Sequence, residues 1–288
     1  MAEHFKDRLD LLIGDRGGFV FEPRVGLHED VAELDFASLY PNIMWRKNLS
    51  AETVRCGCCP DSMNQVPELG WLVCERRVGI VPTAVEIIVR KRKRYKELKN
   101  EAKTEDDLRR FDSRQQALKW LGVTTFGYLG FSNAKFGRID AHICVCAWAR
   151  RILLDSVRVA ERRGFRVIHG IVDSLWVKKD GASEDDYRLL LREIEAETGF
   201  PLSFEGVYRW IAFLPSKAFS SVPVLNRYFG VYRSGEIKVR GIAARRHDTP
   251  PLFSQCQMEI LSILSGTSSV EEARRMIPEC VNGSVEIL

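Results

Sequence analysis

The chain has 288 residues, 45% of them hydrophobic and 28% charged, with a net charge of +4. This is the composition of a folded protein with roughly one large domain or two to three smaller ones, and it excludes fibrous and disordered classes. No apolar run reaches the roughly 20 residues that span a bilayer, and the opening MAEHFKDRLDLLIGDRGG lacks a basic-then-apolar export signal, so a cytoplasmic chain with no membrane partner is expected. Eight cysteines in that setting point to thiols or metal ligands rather than disulfides, and a charge of +4 is too small to establish an anionic partner.

In chain order, residues 1–17 read as a helical lead-in, and VAELDFASLYP at 31–41 as a strand that breaks into a turn, leaving Asp35 at the strand's edge. From Pro82 a long amphipathic helix is expected, with Val85, Ile88, Tyr95 and Leu98 on its apolar side. A second helix over 105–122 carries Leu108, Phe111, Leu118 and Leu121 at near-helical spacing, and the two form an αα-hairpin. Arg92 and Lys96, four residues apart, share a face of the first helix, and Lys119 lies near the hairpin's base. A helix over 141–163 follows, then two short strands joined by a tight turn in RVIHGIVDSLWV at 166–177, with Asp173 just after the turn. A helix near 184–198 and strands around 202–213 come next. The Ser-Gly turn in VPVLNRYFGVYRSGEIKVRG signals another hairpin, and the chain closes on a helix beginning near Pro251. There is no internal repeat and no low-complexity tract.

Three separated segments carry a family pattern in order. DFASLYPNI at 35–43 resembles the first catalytic motif of family B DNA polymerases, D-x-x-S-L-Y-P-S-I. RQQALKWLGVTTFGYLG at 114–130 resembles the second, K-x-x-x-N-S-x-Y-G, through Lys119, Phe126 and Gly127, and HGIVDS at 169–174 stands where the third, Y-x-D-T-D-S, is expected. GIVP before the basic helix, FEGVY at 204–208, RYFG and VRGIAARRHD extend the match from about residue 18 almost to the end. The resemblance implies an α+β fold: an antiparallel palm sheet with packed helices (1–80 and 129–222), a helical-hairpin fingers insertion (81–128) and a truncated thumb (223–288). Ile171 replaces the first Asp of the third motif, Val123 the Asn of the second, and Leu225 with Asn226 the paired lysines that open the thumb. With the CGCCP stretch, these departures resemble the degenerate second paralogue group of archaeal family B polymerases, often described as inactivated. The N-terminal and 3′–5′ exonuclease domains of the family have no counterpart in the chain, so a separate chain supplying them is an expected partner.

By the same resemblance, Asp35 and Asp173 are catalytic, and Asp35, Phe36, Asp173 and Glu205 form the metal set for two Mg²⁺ ions, about 3.5–4 Å apart in such sites. Mg²⁺ commonly takes only one or two protein carboxylates, so the pair suffices without an acid at 171. Arg92, Lys96 and Lys119 pair with the triphosphate of a dNTP, the backbone near Ser38 and Leu39 cradles its tail, and Tyr40 stands where the family excludes a ribose 2′-hydroxyl. Arg227, Tyr228, Arg240, Arg245 and Arg246 are the primer-template contacts. The implied function is template-directed DNA synthesis, slow and without proofreading. The rival is a catalytically silent DNA-binding or scaffold subunit, and a reverse-transcriptase-like enzyme is more distant.

Taken alone, these residues also have plain readings. Tyr40 suits a core aromatic, Asp173 a turn residue capping its own backbone, and RKRKRYKELK at 90–99, seven of its ten residues cationic, a solvated helix face. Cys56, Cys58, Cys59 and Cys74 could bind Zn²⁺, although neighbours such as Cys58 and Cys59 seldom share an ion, and buried thiols are the alternative. Cys144 and Cys146 look like core.

Overall fold

The structure is a computed structural model that describes residues 15–287 together with Leu9 and Leu12. The lead-in helix expected over 1–17 falls almost wholly outside the described residues, and residues 15–17 carry no regular structure. Two compact units divide the chain: one takes residues up to Phe19 and Ala37–Leu154, the other Val20–Phe36 and Asp155–Leu288.

The first unit is helical: α1 (Leu39–Arg46), α2 (Ile80–Asn100), α3 (Glu105–Leu129) and most of α4 (Ile139–Arg162). α2 and α3 form the expected hairpin, locked by a Lys99–Asp112 ion pair at 2.5 Å and by Tyr95 stacked on Phe111. Thr104 caps α3 by accepting from the Asp107 amide, and three acids in its first turn oppose the helix dipole. The helix runs seven residues past the expected end at 122. Two features allow this. Gly122 lies against Pro41 of α1, where a Cβ would come within 3.0 Å of the proline ring, and the hydroxyls of Thr124 and Thr125 donate to carbonyls one turn back. Cys144 and Cys146 are buried on α4, as expected.

The second unit holds one antiparallel sheet of seven strands: β1 (Val20–Phe21), β2 (Gly26–Phe36), β3 (Arg166–Ile171), β4 (Ser174–Lys178), β5 (Leu202–Pro215), β6 (Pro223–Tyr232) and β7 (Ile237–Arg240), in the order β1-β3-β4-β2-β5-β6-β7. Segment 202–215 is one long strand rather than several. Helix α5 (Glu184–Thr198) matches its expected limits because Ser183 and Asp186 form a capping box and Gly199 closes it in the left-handed conformation. The C-terminal helix is two, α6 (Pro251–Ser265) and α7 (Val270–Ile287). Trp210 packs with Val231 against Leu264, Ala273 and Cys280 of these helices. Val31, Trp176, Tyr208, Ile211, Phe213 and Tyr228 form a second apolar cluster. The sheet thus brings the C-terminal end of β2 beside the turn between β3 and β4. Among the described residues no helix is long and apolar enough to cross a membrane.

Candidate active site

Asp35 is the last residue but one of β2, and its register partner on β4 is Ser174, whose hydroxyl donates to Asp35 Oδ1 at 2.7 Å. The Phe36 amide donates to the Asp173 carbonyl at 2.7 Å, so the strand end is bonded directly to the β3–β4 turn. Burial, and then the nearby Asp173 carboxylate, push Asp35 up to about 6, with the Ser174 hydrogen bond opposing them. Asp173 follows Val172, whose φ of 51° lies in the left-handed region that β-branched residues avoid. The turn therefore holds its carboxylate at a cost in backbone strain. Ile171, the residue before this turn, packs against the aromatic cluster of the sheet.

A buried network lies on the same strand. Glu33, two residues before Asp35 and so on the same face, is 2% exposed. It accepts from the hydroxyls of Tyr208 and Tyr232 at 2.5 and 2.6 Å and from Lys238 at 2.6 Å, joining β2, β5, β6 and β7. Burial first, and then the Glu33 charge, raise both tyrosines far above the usual phenol range. No motif marks Glu33, but two acids at i and i+2 in a strand this apolar are a legible signal. Glu205 is the extra residue of a β-bulge in β5: Glu33 pairs with Gly206 and Leu34 with Phe204. Glu205 lines a cleft of about 620 Å³ with Lys238, Arg240 and Arg245.

In the helical unit, Ser38 sits in the left-handed conformation before α1, and Arg92 of α2 donates to its hydroxyl. The Tyr40 ring lies 4.2 Å from that of Phe126, which stacks at 4.2 Å on His142. Leu39 is buried, and Lys96 and Lys119 are exposed. The rest of the basic run divides: Arg94 pairs with Glu97 along the helix, so the solvated-face reading suits it, whereas Arg92 donates to Ser38 at the start of α1 and Arg90, paired with Glu86, also lies over the Trp45 ring of α1. Val123 is half exposed.

The expected DNA contacts separate. Arg227 and Arg246 line one groove with Lys217, and Arg246 is paired with Asp248. Arg240 and Arg245 line the Glu205 cleft. Tyr228 requires a correction: it is 3% exposed, edge-on to Trp176 and beside Phe213, because β6 turns that side chain into the core. It offers DNA no surface.

The four cysteines converge. Cys58 Sγ lies 3.2 Å from Cys56, 3.8 Å from Cys59 and 3.6 Å from Cys74, and Cys59 lies 3.7 Å from Cys74. The adjacency of Cys58 and Cys59 is no obstacle, since left-handed residues at Arg55 and Gly57 coil the backbone tightly just before them. Hydrogen bonds with Cys56 and then Cys74 push the Cys58 thiol up to about 12. At Cys56 burial acts upward, but the Cys58 bond prevails and holds it low.

The sequence profile of DNA polymerase family B matches residues 6–288. The chain belongs to DNA polymerase family B. It is 30% identical to DNA polymerase 2 of Saccharolobus solfataricus over 93% of this chain and 38% of that protein. With DNA polymerase 2 of Aeropyrum pernix it shares 33% identity over 94% and 33%, and with the DNA polymerase of Archaeoglobus fulgidus 31% over 92% and 32%. The family B polymerase structure from Pyrobaculum calidifontis superposes with a TM-score of 0.68 at 33% identity, covering 94% of this chain and 34% of that one. The chain spans about a third of the length of these relatives.

Family B polymerases use divalent metals, and the residues present suit them. Asp35 and Asp173 are hard oxygen donors, and the Asp35 carboxyl is raised first by burial and then by the Asp173 charge, both of which a bound cation would offset.

Proposed function

We propose that this chain is the core of a template-directed DNA polymerase, weakly active, with palm at 1–80 and 129–222, fingers at 81–128 and the start of a thumb at 223–288. The single observation that carries this reading is the Asp35–Asp173 pair, two like charges held side by side by a strand end and a strained turn. The two carboxylates, with the main chain at Phe36 and with Glu205, would hold two Mg²⁺ ions. When bound, such ions neutralise charge on the attacking 3′-oxygen and the leaving pyrophosphate. Arg92, Lys96 and Lys119 bind the triphosphate, the Ser38–Leu39 backbone its tail, and Tyr40 rejects the 2′-hydroxyl. Arg227, Arg240, Arg245 and Arg246 contact primer-template phosphates, which gives affinity without base reading. Zn²⁺ at Cys56, Cys58, Cys59 and Cys74 completes the cofactor assignment, supported by the spacing of the sulfurs.

One observation favours the silent-scaffold reading. Ile171, at the motif position of the lost acid, packs half-buried against the sheet's apolar cluster. Primer extension with Mg²⁺ and with Mn²⁺, beside an Asp35→Asn control, decides between the two, because a scaffold does not respond to that substitution.

A further inference from the structure

Helix α2, which carries Arg92 and Lys96, starts without a capping side chain of its own: its N-cap is Gly79. Its first amides are satisfied from a single segment. Gly79 donates to Asn48 Oδ1 at 2.9 Å, Ile80 to Glu52 Oε1 at 2.6 Å and Val81 to Ser50 Oγ at 3.4 Å, and Ser50 in turn holds Glu52 at 2.6 Å. A Cβ on Gly79 would fall 2.5 Å from Ser50 Cβ, so the contact is close.

The same segment is tied to the cysteines. Asn48 Nδ2 donates to the Cys74 carbonyl at 2.8 Å and to that of Arg77 at 2.9 Å, and the Cys74 amide donates to Thr53 at 2.9 Å. Cys56, Cys58 and Cys59 follow residues 48–53, and Cys74 lies six residues before Ile80, the first of the helix. The four sulfurs therefore join the two arms that meet at the start of α2. A tetrahedral ion bonded to sulfur at about 2.3 Å sets its ligands about 3.8 Å apart, close to the spacing seen here.

We infer that a metal ion on the four cysteines clamps residues 48–56 to residues 74–79 and so fixes the N-terminus of the helix that carries Arg92 and Lys96. This rests on the Zn²⁺ reading and goes beyond it by giving the ion a positional role. Asn48 is the link: its amide bonds to both the Cys74 carbonyl and the Gly79 amide, and it is not a ligand.

The test is zinc content by elemental analysis together with hydrogen exchange of the Gly79, Ile80 and Val81 amides in the full chain, before and after chelation. The expected result is about one Zn²⁺ per chain and exchange faster by about tenfold or more after its removal, restored by added Zn²⁺, with β3–β4 amides unchanged. Asn48→Ala should keep its zinc and already show the fast exchange. Bound zinc whose removal leaves these three amides as protected as before would overturn the clamp and leave the Zn²⁺ reading standing. Absence of stoichiometric zinc would end both.

Discussion

Asp35 and Asp173 are like charges brought together by the pairing of β2 with the β3–β4 hairpin, and burial together with that neighbour pushes Asp35 up to about 6. A carboxylate ordinarily titrates near 3.9, so the folded protein holds this proton more tightly than the unfolded chain does. The stabilising effect of that proton is complete at low pH and is lost as pH rises through about 6. Asp35→Asn, which can still accept from Ser174, should therefore be more stable than the parent by on the order of 2 kcal/mol at pH 8 in metal-free buffer, and nearly equal to it at pH 4. Denaturant unfolding of both proteins at the two pH values checks this. A gap that does not grow with pH contradicts it.

Ile171 packs on the sheet's aromatic cluster. Restoring the family's acid there by Ile171→Asp should thus cost about 2 kcal/mol, from lost apolar contact and a desolvated carboxyl, and should not raise extension rate. Unfolding and rate measurements on one preparation test it. A variant that is both stable and faster would show that position 171 still opens to the site.

Val172 has a φ of 51°. Val172→Asn, which tolerates the left-handed region, should raise stability by about 1 kcal/mol. Thermal unfolding is the measurement, and a loss of stability would mean that side-chain packing outweighs the strain.

Arg92 bonds to Ser38, whereas Arg94 pairs with Glu97 one turn along its own helix. Arg92→Ala should weaken dNTP binding by about tenfold, the worth of one charge-assisted contact, and Arg94→Ala should leave it within about twofold. Equal effects in a nucleotide titration would reduce the whole run to a general electrostatic surface.

Contiguous motifs made part of this legible before any coordinates. Asp35, Asp173 and the hairpin limits follow from short local patterns. What escaped is assembled across strands. Glu33, Tyr208, Tyr232 and Lys238 meet only because four strands pair side by side, and the bulge at Glu205 depends on a register that no single strand encodes. The burial of Tyr228 is hidden for a similar reason, since it is set by Trp176 and Phe213 on other strands. The convergence of the cysteines is not legible from their spacing, because left-handed residues at Arg55 and Gly57 coil the loop that carries them.

Nucleotidyl transfer supported by the Asp35–Asp173 pair is directly measurable. Single-turnover primer extension, with Mg²⁺ and with Mn²⁺, should show incorporation by the parent chain and none by Asp173→Asn, while both bind primer-template with equal affinity. A parent chain that binds primer-template but extends it with neither metal would contradict the account and leave a scaffold in the shape of a polymerase.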